Sequence, residues 1–413
     1  MAFQPSVGQQ LSIDNAIYHF TVHPSAPGMP YGQQGRKATV FQLASGSERR
    51  ALKVFTPRFR EPRLVGIADR LAKYAALAGL TVCRRSVLTA RRHGGLLREH
   101  PDLTYAVLMP WIEGPSWTEV MLSRRSLTPG QSLELARGLA EILVGLEEQG
   151  LAHGDLSGGN VLLPALAERA TGHPTPVELV DVEEMYGSEM ERPTDLPGGS
   201  LGYAHRGTPS GLWGPEADRF SGSILLAEML GWCDADVRAG AWGEGYFEPQ
   251  WMQMDGKAYD LLVKSLENRW GGRLATLLER AWRSDVLRDC ATFSEWLVAL
   301  PDTSPRPAAV AAHPAVPAVS PVTSSGRAAP PPQALPPAPV ATPKGAAPSP
   351  TPYSFVPIGV EVLCPECDGR NAADEIYCQT CGFQLCEDRP CGRCAAAMPI
   401  KAHYCPQCGR RAV

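Results

Sequence analysis

His153-Gly154-Asp155-Leu156-Ser157-Gly158-Gly159-Asn160 runs straight into the apolar segment Val161-Leu162-Leu163. Asp155 and Asn160 are five positions apart, a spacing at which one loop can turn both side chains toward a single reaction centre. Phosphoryl transfer asks for such a pair: a carboxylate to orient the attacking hydroxyl and accept its proton, and oxygen ligands for the magnesium that bridges the phosphates. Asp155 suits the first task and Asn160 the second.

Outward from this loop, Val177-Glu-Leu-Val-Asp181 is a β-like run ending in a carboxylate, where a second magnesium ligand would be presented. Upstream, Arg50-Ala-Leu-Lys53-Val-Phe alternates like a strand and carries one lysine, placed to clamp the α- and β-phosphates. Taken singly, each residue has a plainer reading: Lys53 as a solvated strand residue, Asp181 as a turn former, Asp155 as a cap. The order Lys, Asp, Asn, Asp favours phosphate chemistry.

That order resembles the protein kinase superfamily over roughly residues 10–300. The resemblance implies a bilobal α+β fold, with a strand-rich N-lobe over about 10–113 and a mostly helical C-lobe over about 114–300. It implies a serine/threonine protein kinase that uses ATP and Mg2+: Lys53 on the third strand, Asp155 as catalytic base, Asn160 and Asp181 as magnesium ligands. Gly154 and Ser157 stand where the common form of the motif has arginine and lysine, which is closer to RIO-type and small-molecule kinases; no switch through that arginine is expected. Asp181-Val-Glu183 departs from the usual Asp-Phe-Gly.

The phosphate-covering loop keeps a single glycine in register, Gly35, ahead of Ala38-Thr-Val40. Tyr105-Ala-Val-Leu-Met109-Pro-Trp-Ile-Glu-Gly114 resembles the kinase hinge, with Met109 at the gate and adenine bonding the backbone around Pro110 and Ile112. The acidic partner of Lys53 is left between Glu61 and Asp69, on a helix expected from Pro62 to Leu77. Asp218 is expected to be structural, and PGGSLGYAHRGT resembles the end of an activation segment.

Periodicity agrees with two unlike halves. ATVFQLA, RRALKVF and LTYAVLMPW read as strands; SLELARGLAEILVGLEEQG, RFSGSILLAEMLGW and GRLATLLERAWRSDVL read as helices. With 413 residues the chain exceeds one core. A net charge of -4 supplies no basic excess to neutralise a nucleic acid backbone. The N-terminus lacks the basic start and apolar core of a signal peptide, and no run of about 18 apolar residues occurs, so a cytoplasmic chain without a membrane partner is expected.

Residues 301–357 are Pro, Ala, Ser and Val with almost no charge, as in ALPPAPVATPKGAAPSPTP, and read as a disordered, semi-rigid linker. Nine of the twelve cysteines follow it, between Cys364 and Cys408. Cys364 and Cys367 form one CxxC pair, Cys378 and Cys381 the next. Cys391 with Cys394 and Cys405 with Cys408 repeat both pairs 27 residues later. Four thiolates suit tetrahedral Zn2+ with no position left open, so two structural sites are expected, with iron or disulfides as the lesser readings. The segment 358–413 resembles a double zinc ribbon, which implies a recognition module, for a protein partner in preference to a nucleic acid; Cys386 is left over. Two further functions remain open alongside the protein kinase: a small-molecule phosphotransferase, and a nucleotide-binding pseudokinase scaffold.

Overall fold

A computed structural model describes residues 3–168, 173–193, 196–207 and 211–303, together with four short strands between 361 and 399. The chain divides into two units, Met1–Arg306 and Pro307–Val413. The first is mixed α and β.

Its N-terminal third is built on antiparallel strands. These are β1 (Gln10–Ile13), β2 (Ala16–Phe20), β3 (Val22–His23), β4 (Ala26–Pro30), β5 (Gly32–Gln34), β6 (Ala38–Ser45) and β7 (Glu48–Phe55). After helix α1 (Arg63–Leu71) come β8 (Ser86–Val87), helix α2 (Ala90–Glu99) and β9 (Val107–Pro110). The main sheet runs β1-β2-β6-β7-β9-β8, with β5 pairing onto β6 and β3 pairing with β4 separately. Asp14 and Asn15, both at positive φ (50° and 65°), close the two-residue turn between β1 and β2. This is the turn chemistry that a twisted hairpin demands.

The period of two along β7 sorts its side chains. Leu52 and Val54 join one core with Leu11, Phe20 and Leu43, whereas Ala51 and Phe55 join the larger core shared with the helices. Lys53 lies between those two on the second face and is 6% exposed. A cation this deep requires a charged partner.

The helical part contains α3 (Trp117–Leu122), α4 (Pro129–Glu148), α5 (Arg219–Gly231), α6 (Ala235–Gly240), α7 (Lys257–Trp270), α8 (Gly272–Arg283) and α9 (Phe293–Ala299). Between α4 and α5 lies a small hairpin of β10 (Val161–Leu162) with β11 (Glu178–Leu179). Thr128 and Gln131 form a capping box that starts α4, with Pro129 at its first position. Helix α5 is buried on every side, and Trp117, Trp232, Trp282 and Trp296 are all fully buried around the helical core. Among the described residues no helix is long and apolar enough to cross a membrane.

The helix expected over 62–77 is shorter. Leu64, Ala68 and Leu71 bury one face of α1, and the chain then tightens into a 3-10 turn at Ala72–Tyr74. The strand expected over 103–111 is confined to β9, because Tyr105 takes a left-handed φ of 62° just before it.

In the second unit, β12 (Glu361–Leu363) pairs with β13 (Arg370–Ala372), and β14 (Asp388–Pro390) with β15 (Ala397–Pro399). Leu363 faces Arg370 and Pro390 faces Ala397, so the two hairpins share one register 27 positions apart. The expected zinc ligands of the first ribbon, Cys364, Cys367, Cys378 and Cys381, lie outside the described residues. So do those of the second, Cys391, Cys394, Cys405 and Cys408, together with Cys386 and the linker 304–357.

Candidate active site

Backbone pairing brings the separated motif residues together. Val161 pairs with Leu179 across β10 and β11, and the Val180 amide donates to the Asn160 carbonyl at 3.0 Å. His153, fully buried, holds the same strand end through its Nε2 and the Val180 carbonyl at 2.7 Å. Asp181 therefore leaves β11 directly beside the 153–160 loop.

From below, the loop is pinned by Asp218 at the start of α5. Its carboxylate accepts the His153 amide, and the Gly154 amide at 2.9 Å. The structural role expected for Asp218 is the one its geometry shows. Gly154 takes φ +79°, and a Cβ there would lie 2.5 Å from the Glu184 carbonyl oxygen. No larger side chain fits.

Asp155 is half-buried and accepts a hydrogen bond from the Ser200 hydroxyl at 2.8 Å. Burial pushes its carboxyl above the usual aspartate range, and Glu184 adds to this; the Ser200 hydrogen bond, His153 and Lys37 oppose it. Asn160 donates its amide nitrogen to the Asp155 carbonyl at 2.8 Å, which leaves its oxygen as the atom to serve a cation. Asp181 sits in the left-handed region, φ 62° and ψ 46°. Non-glycine residues in that region are uncommon and concentrate at functional sites.

Lys53 donates to Asp181 Oδ1 at 2.5 Å and to Glu183 Oε2 at 2.8 Å. Neither carboxylate expected near the helix fills this place: Glu61 pairs with Arg63 and Asp69 is exposed. The second oxygen of Glu183 takes Arg85 at 2.6 Å, and the Arg85 side chain is only 1% exposed. Burial alone would lower the Lys53 ammonium and raise the Glu183 carboxyl. The neighbouring charges win in both cases: Glu183 and Asp181 hold Lys53 above the usual lysine value, while Lys53 and Arg85 hold Glu183 well below the usual glutamate value.

The remaining nucleotide-facing candidates line the sheet. Val40 pairs with Lys53 across β6 and β7, and Met109 with Ala51 across β7 and β9. Met109 and Ile112 are buried, Pro110 half-buried, and Arg85 reaches the Met109 sulfur at 3.6 Å. Gly35 donates its amide to the Ala38 carbonyl at 2.8 Å, closing the turn from β5 into β6.

Among the described residues, which include none of the eight CxxC cysteines, no group of three or more His, Cys, Asp or Glu forms a ready metal cage. Hard oxygen donors such as Asn160 and Asp181 nonetheless fit magnesium, which takes one or two protein ligands and completes its shell with water and phosphate. The sequence alone does not mark Arg85, and it shows Glu183 only as a departure from Asp-Phe-Gly. Ser200 stands out there only as part of the segment that resembles an activation loop. Comparison with family models and with curated proteins finds no match for this chain.

Proposed function

We propose that residues 10–300 are a bilobal, protein-kinase-like phosphotransferase that moves the terminal phosphoryl group of ATP to a serine or threonine hydroxyl of a protein. The observation that supports this best is the meeting of four residues from distant stretches. Lys53 bonds Asp181, and Asn160 bonds the backbone of Asp155, whose carboxylate already accepts a hydroxyl from Ser200. A serine hydroxyl at 2.8 Å from Asp155 has the approach expected of a proton-donating nucleophile.

In the proposed step the acceptor oxygen bonds to the terminal phosphorus, the bond from that phosphorus to the β-phosphate oxygen breaks, and ADP leaves with the electron pair. The hydroxyl proton passes to the Asp155 carboxylate, whose raised affinity for a proton favours that transfer. Lys53 binds and orients the phosphates, and the Arg85–Glu183 pair keeps its ammonium charged and aimed. Magnesium, when bound by Asn160 and Asp181, supplies neutralisation of the phosphate charge. For the tail, a double zinc ribbon that recruits a protein partner is proposed, supported by the two hairpins of equal register.

Purified full chain with radiolabelled ATP and magnesium tests the reading, with a generic protein, small hydroxylic compounds and the chain itself as acceptors. Label on protein, reduced by about 100-fold or more in Asp155→Ala, is expected. Label on small compounds alone would move the assignment to a small-molecule phosphotransferase, and nucleotide binding without label to a scaffold. Elemental analysis should find about two zinc ions per chain, one for each pair of CxxC motifs.

A further inference from the structure

Lys37 falls inside the loop described above, between Gly35 and Ala38, and has so far been given no role. It lies in the turn between β5 and β6, two residues beyond Gly35, and its ammonium pairs with the Glu184 carboxylate. Both side chains are about one-third exposed, at 34% and 29%. Glu184 closes the 3-10 turn that follows Asp181, and its carbonyl rests against Gly154, the residue before Asp155. The pair thus spans from the glycine-poor turn to the catalytic loop, and the charge of Lys37 is felt at Asp155.

A phosphoryl group in transfer spreads its charge over three oxygens and needs a cation or a nest of backbone amides beside them. Between Asp155 and Asn160 the chain reads Leu-Ser-Gly-Gly, with no cation. The turn over the site offers one glycine rather than several. Lys53 gives two of its three donors to Asp181 and Glu183 and is placed for the α- and β-phosphates, not the terminal one. Lys37 is held by Glu184, whose backbone carbonyl lies against Gly154, the neighbour of Asp155.

We propose that Lys37 binds the terminal phosphate of the nucleotide, and that Glu184 holds it in place until the nucleotide arrives. This rests on the phosphotransferase reading and assigns it a further binding residue. The exposure of the Lys37–Glu184 pair matters here. A partly solvated ion pair contributes little, so a triphosphate can displace Glu184 readily. Lys53 and Glu183 are buried together and would resist such exchange.

The test titrates ATP and ADP, each with magnesium, into the full chain by calorimetry, for wild type, Lys37→Ala, Lys37→Arg and Glu184→Gln. Lys37→Ala should weaken ATP by about tenfold, the size of one charge-assisted contact, and leave ADP within about twofold. Lys37→Arg should retain ATP affinity within about threefold, and Glu184→Gln should raise it, since a competing carboxylate is gone. Thermal midpoints equal to wild type establish that the variants fold. Equal weakening of ATP and ADP in Lys37→Ala, or no change in either, overturns the assignment of Lys37 alone. A wild type that binds neither nucleotide overturns the phosphotransferase reading and this inference with it.

Discussion

Glu228 is fully buried and the Glu183 side chain nearly so, at 11% exposed, yet the two glutamates are held in opposite ways. Glu183 lies between two cations, Lys53 and Arg85, and stays ionised far below the ordinary glutamate range. Glu228, in the middle of α5, meets only neutral donors: the Trp117 indole at 2.8 Å, the Tyr203 hydroxyl at 3.0 Å and the Tyr246 amide at 3.1 Å. There burial prevails over the three hydrogen bonds and pushes its carboxyl up to about 7. What decides the charge of a buried carboxylate is the charge of its neighbours, more than the number of its hydrogen bonds.

The strongest way to break this contrast is Arg85→Met. It leaves the Glu183 charge with Lys53 alone in a closed site, and the loss of one member of a buried ion pair costs about 3–5 kcal/mol. Urea unfolding should show a loss of unfolding free energy of that size; a loss under about 1 kcal/mol would mean that water already reaches the pair. Next in size is the pH dependence carried by Glu228. The folded chain holds the Glu228 proton more tightly than the unfolded one, so this contribution is full below about pH 4.5 and is lost as pH rises through about 7. Glu228→Gln removes it, and between pH 4.5 and 8 the stability difference should move by about 3 kcal/mol in favour of the variant. Calorimetric scans across that range that run parallel for the two proteins would show Glu228 to be ionised throughout.

A smaller effect, on reactivity, is expected at Lys53. In Glu183→Gln its ammonium loses the partner that most opposes the burial penalty, so its pKa must fall. Acylation of Lys53, followed by mass spectrometry over a pH series, should start at lower pH in the variant. Smallest is Tyr203→Phe, which takes one neutral hydrogen bond from Glu228 at about 1 kcal/mol. Because that donor helps the ionised form, the variant should also shift the pH-dependent fall in stability upward.

The parts of the fold legible in the sequence are those whose apolar period is unbroken. Strands β6 and β7 and helices α4, α5 and α8 fall where Val40 to Leu43, Ala51 to Phe55 and the leucine-rich runs predict them. The hairpin of β1 and β2 is not legible from periodicity, although Asp14-Asn15 announces its turn, because its strands are only four and five residues long. At the site, Asp155, Asn160, Asp181 and Lys53 are legible from order and spacing. The partner of Lys53 is not. The resemblance points to an acid on α1, but that helix turns Leu64, Ala68 and Leu71 inward and leaves Asp69 outside, while a carboxylate two residues after Asp181 fills the gap. Nothing in the local pattern of Arg85 marks it as buried, since its burial follows from Glu183, distant in the chain.

The left-handed backbone at Asp181 has a consequence for how the protein can vary. At φ 62° and ψ 46° the main chain accommodates glycine, asparagine or aspartate at little cost and penalises β-branched residues. Of those three, aspartate alone brings a full negative charge to Lys53. Two filters act on one position, one from conformation and one from charge. A library randomised at 181 and sorted for folding should return glycine, asparagine and aspartate. The same library sorted for function should return aspartate, so the gap between the two lists measures how far selection here has gone beyond staying folded.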